Sequence, residues 1–412
     1  MQFALLISVI IAILLSAFLL LTHVQSFFRI KSQELIGATE LASHQLFESL
    51  ENTVISEDTV STTMDSKTLK LAANYHGTWI KTISEVTVNN RKTSKAAFSG
   101  IALDPKTPNL YLANKNSPLV VVGDTRLEGN SYLPKQGIKA GNISGNYYQG
   151  SSLYYGRTIE SKEKIPELDA KWFSYIELLT KGQYIEEDHI VPLEKEIENS
   201  FYNPPKIIYN TDAIILGDEK ISGNVIIQSA SKISITTASQ LTDVLLIAPT
   251  IVVQNNVKGR FQLIATKKIE IGKGCHLSYP SSITLLDKNP TINANQGNAS
   301  NNKTPNFSID TNTNIEGSVV YLKKKQEVQN RIQTHIKVAT GAQIIGEIYC
   351  QGNIEFLGTV KGSLYTHQFI ANQSGSVYLN HLYNGKVLLN PIPDYAGLPF
   401  KDSKKDVAKW LY

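Results

Sequence analysis

Residues 344–364 read IIGEIYCQGNIEFLGTVKGSL, and the way this stretch repeats itself decides the fold. A five-residue unit (apolar, any residue, Gly, any residue, apolar or aromatic) appears as IIGEI at 344–348 and returns as VKGSL at 360–364, 16 residues on. The unit is also written at ISGNY 143–147, ISGNV 221–225, VKGRF 257–261 and IEGSV 315–319, with LEGNS 127–131 a looser copy. The starts at 127 and 143 are again 16 apart, and those at 221 and 257 are 36 apart, two periods of 18 around one degenerate copy. Two longer stretches, VVVGDTRLEGN at 120–130 and IILGDEKISGN at 214–224, agree in kind at almost every step.

A second alternating segment accompanies the unit. KISIT starts at 232, TIVVQ at 250 and KIEIG at 268, a spacing of 18 that HIKVA at 335 and NIEFL at 353 keep. Alternation of period two buries one face of a short strand. Short strands recurring every 16–20 residues, separated by Gly or Asn that can take the left-handed backbone of a corner, predict the coils of a β-solenoid. A β-sandwich or barrel is the rival, but it does not require apolar-x-Gly-x-apolar units at regular spacing.

Residues 160–205 lose this pattern. LDAKWFSYIELLTKG has Asp169 as an N-cap, apolar Trp172, Phe173, Ile176 and Leu179, and Gly182 as a stop. VPLEKEIENSFYNPP sets Leu193, Ile197 and Phe201 on one helical face. Two amphipathic helices are expected here, packed along the strands, with partner binding through Trp172 as the sharper reading. Ahead of the repeats, HGTWIKTISEVTV (76–88), KAAFSGIAL (95–103) and PNLYLAN (108–114) read as strands.

The N-terminus carries a different signal. Phe3 to Leu21 contains no charge and is about as long as a helix that crosses a bilayer. No Lys or Arg precedes it and no small-x-small site follows, so a retained anchor is expected rather than a cleaved signal. Val24, Phe28, Leu35, Ala38, Ala42 and Leu46 continue at helical steps, so residues 3–51 read as one rod of about 70 Å at 1.5 Å per residue. The distal part is either a helix packed on its own soluble domain or an assembly stalk.

The chain of 412 residues has 40 basic and 36 acidic side chains and a net charge of +4, without the concentrated basic face of a nucleic-acid binder. Cys275 and Cys350 show no metal-like spacing, although one bridge between them is allowed. No P-loop, HExxH, GxSxG or dinucleotide fingerprint is present. EEDHI at 186–190 reads as a solvated charge run rather than a metal site. His276, His335, His367 and His381 share no repeat position, and Asp124 and Asp218, which do, each follow a corner Gly where Asp commonly satisfies the turn. No enzyme activity, no metal and no cofactor is expected. NYYQGSSLYYG (146–156) gathers Tyr147, Tyr148, Tyr154 and Tyr155, whose faces suit stacking on a glycan or partner, while tyrosine is also simply a good strand residue.

Two resemblances follow. The rod from Phe3 to Leu50, apolar and then amphipathic, resembles the N-terminal helix of type IV pilins and pseudopilins. The run IIGEIYCQGNIEFLGTVKGSLYTHQFI (344–370) is similar to bactofilins, polymer-forming β-solenoid proteins. Together they resemble pilin-like single-span proteins with polymer-forming β-solenoids found in Bacteroidota. The resemblance implies a bacterial inner-membrane protein that associates with itself or with envelope-machine components. A cytoplasmic body is what Arg29 and Lys31 after the span favour. The polar surface and the stalk favour an extracytoplasmic one, which is the expectation adopted. A glycan-binding module through the tyrosines, or a carbohydrate-active β-helix enzyme, are the alternative functions.

The expected organisation is mainly β with a long N-terminal transmembrane and stalk helix: residues 1–55 anchor and stalk, 56–115 a small β region, 116–159 the first solenoid coils, 160–205 the helical insertion, 206–395 the main solenoid with an Asn-rich loop at 287–306, and 396–412 a tail acting as a cap or a frayed end.

Overall fold

The computed structural model describes residues 2–52, 56–64, 67–102, 104, 106–182, 187–288, 305–324, 333–392, 395–401 and 403–412. Most of the Asn-rich loop therefore lies outside the described residues. The fold is mainly β, with one long apolar helix, α1 (Gln2–Asn52), and one short one, α2 (Ala170–Leu179). Contacts divide the chain into two units, residues 1–74 with 81–97, and residues 75–80 with 98–412.

In the first unit, α1 is one continuous helix long and apolar enough to cross a membrane. Its side chains from Phe3 to Leu21 are exposed, whereas Ala38, Ala42, Leu46 and Leu50 are buried at steps of four, the spacing that puts residues on one helical face. Ala38 and Ala42 pack against Leu69 and Val86 on the neighbouring strands, and Ser84 donates its hydroxyl to Gln45 Oε1 at 2.7 Å. Strands Ser56–Met64 and Lys67–His76 pair antiparallel. The distal α1 is thus a helix packed on its own unit.

The second unit is built on a closed sheet of mostly parallel strands. Successive sequence repeats pair in register, which places equivalent residues in columns. Ile233, Ile251, Ile269, Phe307, Ile336 and Ile354 form one such column. Ile227, Leu246, Leu263, Ile283, Val319, Ile348, Leu364 and Leu110 form another. Every member of both has no accessible surface, and each burial contributes on the order of 2 kcal/mol.

The Gly of the five-residue unit has a steric cause. Gly317, Gly346 and Gly362 are consecutive register partners with φ of 138°, 137° and 143°. A Cβ on Gly346 would lie 2.1 Å from the Gly317 carbonyl oxygen, and one on Gly362 would lie 2.0 Å from that of Gly346. Each strand bends there by closing onto the strand before it, and only Gly leaves the room. The degenerate copy between 221 and 257 uses Asp243 instead, at φ 63°.

Pairing order departs from chain order. Leu110–Leu112 pairs with Leu364–Thr366 on one side, and Leu110 and Tyr111 pair with Ser131 and Tyr132 on the other. Arg126–Leu127 pairs with Lys386–Val387, and Tyr155–Glu160 with Glu128–Leu133. Residues 110–160 thus continue the ladder beyond residue 388 instead of preceding residue 206, and 110–112 belongs to it rather than to the small β region. The twin stretches 120–130 and 214–224 occupy equivalent places, each turning a Gly-Asp corner into a parallel strand, far apart along the ladder.

Three further expectations are corrected. ISGNY at 143–147 is a tight antiparallel hairpin, with Ser144 at φ 50° and Gly145 at φ 84° in its turn. The second helix of the insertion is instead the strand Glu196–Asn199, paired with Lys220–Gly223, because Ile197 fills the core beside Ile221. The frayed end expected as one form of the tail is instead the strand Lys405–Leu411, next to Ala102, whose N–H donates to the Lys404 carbonyl at 2.8 Å.

Candidate functional site

The insertion covers an outer face of the parallel sheet. Asp169 caps α2 by accepting from the Lys171 and Trp172 amides, and Trp172, Ile176 and Leu179 are buried. They pack with Leu245, Ile247, Ile264, Leu286, Val320 and Tyr349. Trp172 has no accessible surface and donates its indole N–H to the Gly77 carbonyl at 3.1 Å, so it is a packing residue rather than an exposed anchor.

The segment 395–400 lies on the same cover. Glu347, 3% exposed, accepts the Leu398 N–H at 2.6 Å, Tyr395 donates to the Gly317 carbonyl at 3.1 Å, and Tyr279 to that of Ala396 at 2.9 Å. Burial pushes the Glu347 carboxyl up to about 7 against the pull of the Leu398 amide.

A charged knot is built on Asp243, at the Gly position of the degenerate repeat. Asp243, 4% exposed, receives Arg260 Nε at 2.6 Å on Oδ1 and Arg260 Nη2 at 3.1 Å on Oδ2. Oδ2 also accepts Lys409 Nζ and, at 3.2 Å, the Tyr412 hydroxyl. Burial raises the Asp243 carboxyl, but the bonds from Arg260 and Lys409 outweigh it and hold the group below the usual carboxylate range. The C-terminus is therefore fastened to the parallel sheet. Sequence reasoning missed Asp243, although an acid standing where the repeat calls for Gly was the available signal.

The tyrosines predicted as contacts are not one platform. Tyr147 sits on the hairpin and is 67% exposed. Tyr148 and Tyr154 are half-buried with their rings packed on the core, and Tyr148 donates to the Ser152 carbonyl. Burial, and after it Tyr155, raises the Tyr148 hydroxyl. Tyr155 lies under the Arg126 guanidinium, 4.5 Å from its ring centroid, while Arg126 Nε holds Glu128 at 2.7 Å.

Asp124 and Asp218 are indeed equivalent. Each pairs with a lysine of the neighbouring strand or the residue just before it, Asp124 with Lys386 at 2.6 Å and Asp218 with Lys195 at 2.7 Å. Both acids are well exposed, so water screens each pair and neither holds the fold together. His335 is buried, its Nδ1 accepting the Asn353 amide at 2.9 Å, and burial lowers it to about 3. His367 is lowered to about 4 by the same cause. Cys275 and Cys350 are both buried free thiols. Glu186 and the side chain of Glu187, within EEDHI, lie outside the described residues, and among the described residues no group of three or more His, Cys, Asp or Glu could hold a metal ion.

An open groove of about 620 Å³, with polar and apolar surface in nearly equal measure, lies on the outer side of the strands 250–253, 268–271, 307–309 and 336–338. Comparison with protein-family models, curated proteins and solved structures gives no match.

Proposed function

We propose that the chain is a membrane-anchored structural protein, not an enzyme, whose closed parallel sheet is a β-solenoid that associates with further copies of itself in an envelope assembly. The 16–20-residue repeat, its in-register columns and the bent Gly column support the solenoid reading. The exposed apolar half of α1, ahead of a distal half packed on an antiparallel sheet, supports the pilin-like anchor. An inner-membrane location with the body outside the cytoplasm belongs to this reading; protease loss of a C-terminal epitope in intact spheroplasts supports it, and protection until lysis removes it.

One observation carries the assembly reading. The strand Tyr155–Glu160 is exposed at all six residues, and its Arg157 with the exposed Lys135 and Lys139 outnumbers its Glu160 at that extreme of the ladder. Around the strands 196–199 and 206–216, exposed Glu194, Glu196, Glu198, Asp212 and Asp218 outnumber exposed Lys195, which pairs with Asp218, and Lys220, so the other extreme is acidic. Opposite charge on two different surfaces favours a heterologous contact, which propagates into an open filament unless it closes a ring.

The test is mass distribution of the full chain in a non-ionic detergent against concentration and salt. Oligomers should grow with concentration and shrink between 50 and 500 mM salt, roughly the change from a 14 Å to a 4 Å screening length. Arg157→Glu should weaken them. A single protomer per micelle at every concentration refutes the assembly reading.

A further inference from the structure

The open groove is not part of the proposed assembly contact, and its construction points to a ligand. It crosses five strands, from the end of Lys232–Ile235 to Ile336–Val338. At roughly 4.8 Å per strand its length is near 19 Å. One wall is the outward column Val252, Glu270, Ser308 and Lys337, which are successive register partners. The other is the corner where each strand ends, with Gln254, Gly272, Asp310 and Ala339 hydrogen-bonding back in turn to Ile235, Val253, Ile271 and Ile309. Gly272 stands between Gln254 and Asp310 in that column with the Asn255 side-chain amide lying over it, and Ala339 beyond Asp310 leaves the groove low at its far end.

The chemistry of the lining narrows the occupant. Thr237, Ser308, Gln254 and Asn256 offer neutral donors and acceptors, Glu270 and Asp310 offer acceptors, and Lys337 offers a donor. No aromatic residue lines it, so a flat aromatic ligand has no ring to stack on, and Val252 is the one apolar side chain of the outward wall. Glu270 is paired with Lys268 at 2.6 Å and Lys337 with Glu355 at 3.4 Å, so the walls are close to neutral with Asp310 the surplus charge. A polyanion is disfavoured. An extended peptide is disfavoured too, because the groove lies on a sheet face whose backbone groups already serve the parallel ladder.

We infer that this groove binds a linear, neutral, polyhydroxylated chain, an oligosaccharide, lying along the strand-stacking direction. Repeating hydroxyls match a wall that repeats a hydrogen-bonding side chain at each strand, and a carboxylate accepts from two neighbouring hydroxyls at once.

The test is titration of the full chain, held in a detergent without a sugar headgroup, with maltohexaose, cellohexaose and chitohexaose, and with polygalacturonate and spermine as charged probes. At least one neutral hexasaccharide should bind saturably. Asp310→Ala should weaken it roughly tenfold, as loss of a charged hydrogen-bond acceptor does. Ala339→Trp should abolish it by placing an indole across the end of the groove beside Lys337, and Tyr147→Ala should leave it unchanged. Asp310 is an exposed corner residue, so its variant stays informative even if Ala339→Trp fails to fold. Binding of none of the three hexasaccharides, binding of spermine alone, or binding indifferent to Asp310→Ala overturns the inference. Salt-dependent oligomerisation is read separately, so either result stands without the other.

Discussion

A Cβ placed on Gly346 would lie 2.1 Å from the carbonyl oxygen of Gly317, its register partner on the preceding strand. No side-chain rotation relieves a clash with backbone, and φ of 137° is itself a conformation L-residues avoid. Gly346→Ala is expected to cost several kcal/mol, about the upper range for single substitutions. Gly375, at φ 77° with nothing near its Cβ, is the control and should cost about 1 kcal/mol as Ala. Chemical denaturation of the two variants checks this, and equal losses would remove the steric account of the repeat.

The Asp243 knot predicts an acid-sensitive contribution. Its folded carboxyl lies below the ordinary value, so the stabilisation is present above the unfolded pKa and is lost as pH falls through the folded one. Asp243→Asn leaves Arg260 and Lys409 without their charge partner, which costs roughly 3–5 kcal/mol at neutral pH. Melting temperatures from pH 2 to 7 should converge for wild type and variant at the acid end. A constant gap across that range contradicts the linkage.

Glu347 acts with the opposite sign. Its folded carboxyl is near 7 against an ordinary 4.5, so the folded state binds the extra proton between those values and stability falls as pH rises through that window. Glu347→Gln keeps an acceptor for Leu398 N–H and cannot ionise. The variant should therefore be the more stable protein at pH 8, by on the order of 3 kcal/mol, and show little difference at pH 4. A variant less stable at pH 8 would mean that the buried group needs its charge.

How much of this was legible is seen in one four-residue word. ISGN at 221–224 is a ladder strand and its corner, whereas ISGN at 143–146 is a hairpin turn. The difference lies in distant partners: Asn224 N–H reaches the Asn199 carbonyl at 2.8 Å and its side chain that of Asn203 at 2.8 Å. Period-two alternation marked the inward columns, because burial of alternate residues is local information. It could not mark that Leu110 sits beside Leu364, since any apolar strand fits that column equally well. The stretch 194–199 failed for a related reason, in that EKEIE favours a helix locally while Ile197 gains more as a strand beside Ile221. Of the candidate tyrosines, sequence proximity was visible, but Arg126 over Tyr155 was not, because that cation comes from a neighbouring strand.

The two halves of α1 should respond oppositely to charge. Ala42 has no accessible surface and packs with Leu69 and Val86, so Ala42→Arg forces a long cation into a filled contact. It is expected to destabilise the first unit by roughly 3 kcal/mol or more while leaving membrane attachment intact. Leu14 is 64% exposed in the middle of the apolar run, so Leu14→Lys should leave the melting of both units unchanged. At the centre of a spanning helix a lysine costs about 2.5–3.5 kcal/mol, which lowers the membrane-retained fraction after alkaline extraction. Leu14→Lys retained as fully as wild type would show that this part of the helix does not lie in the hydrocarbon core. Melting that falls with Leu14→Lys would show that the exposed half of α1 is instead a packing surface of the folded chain.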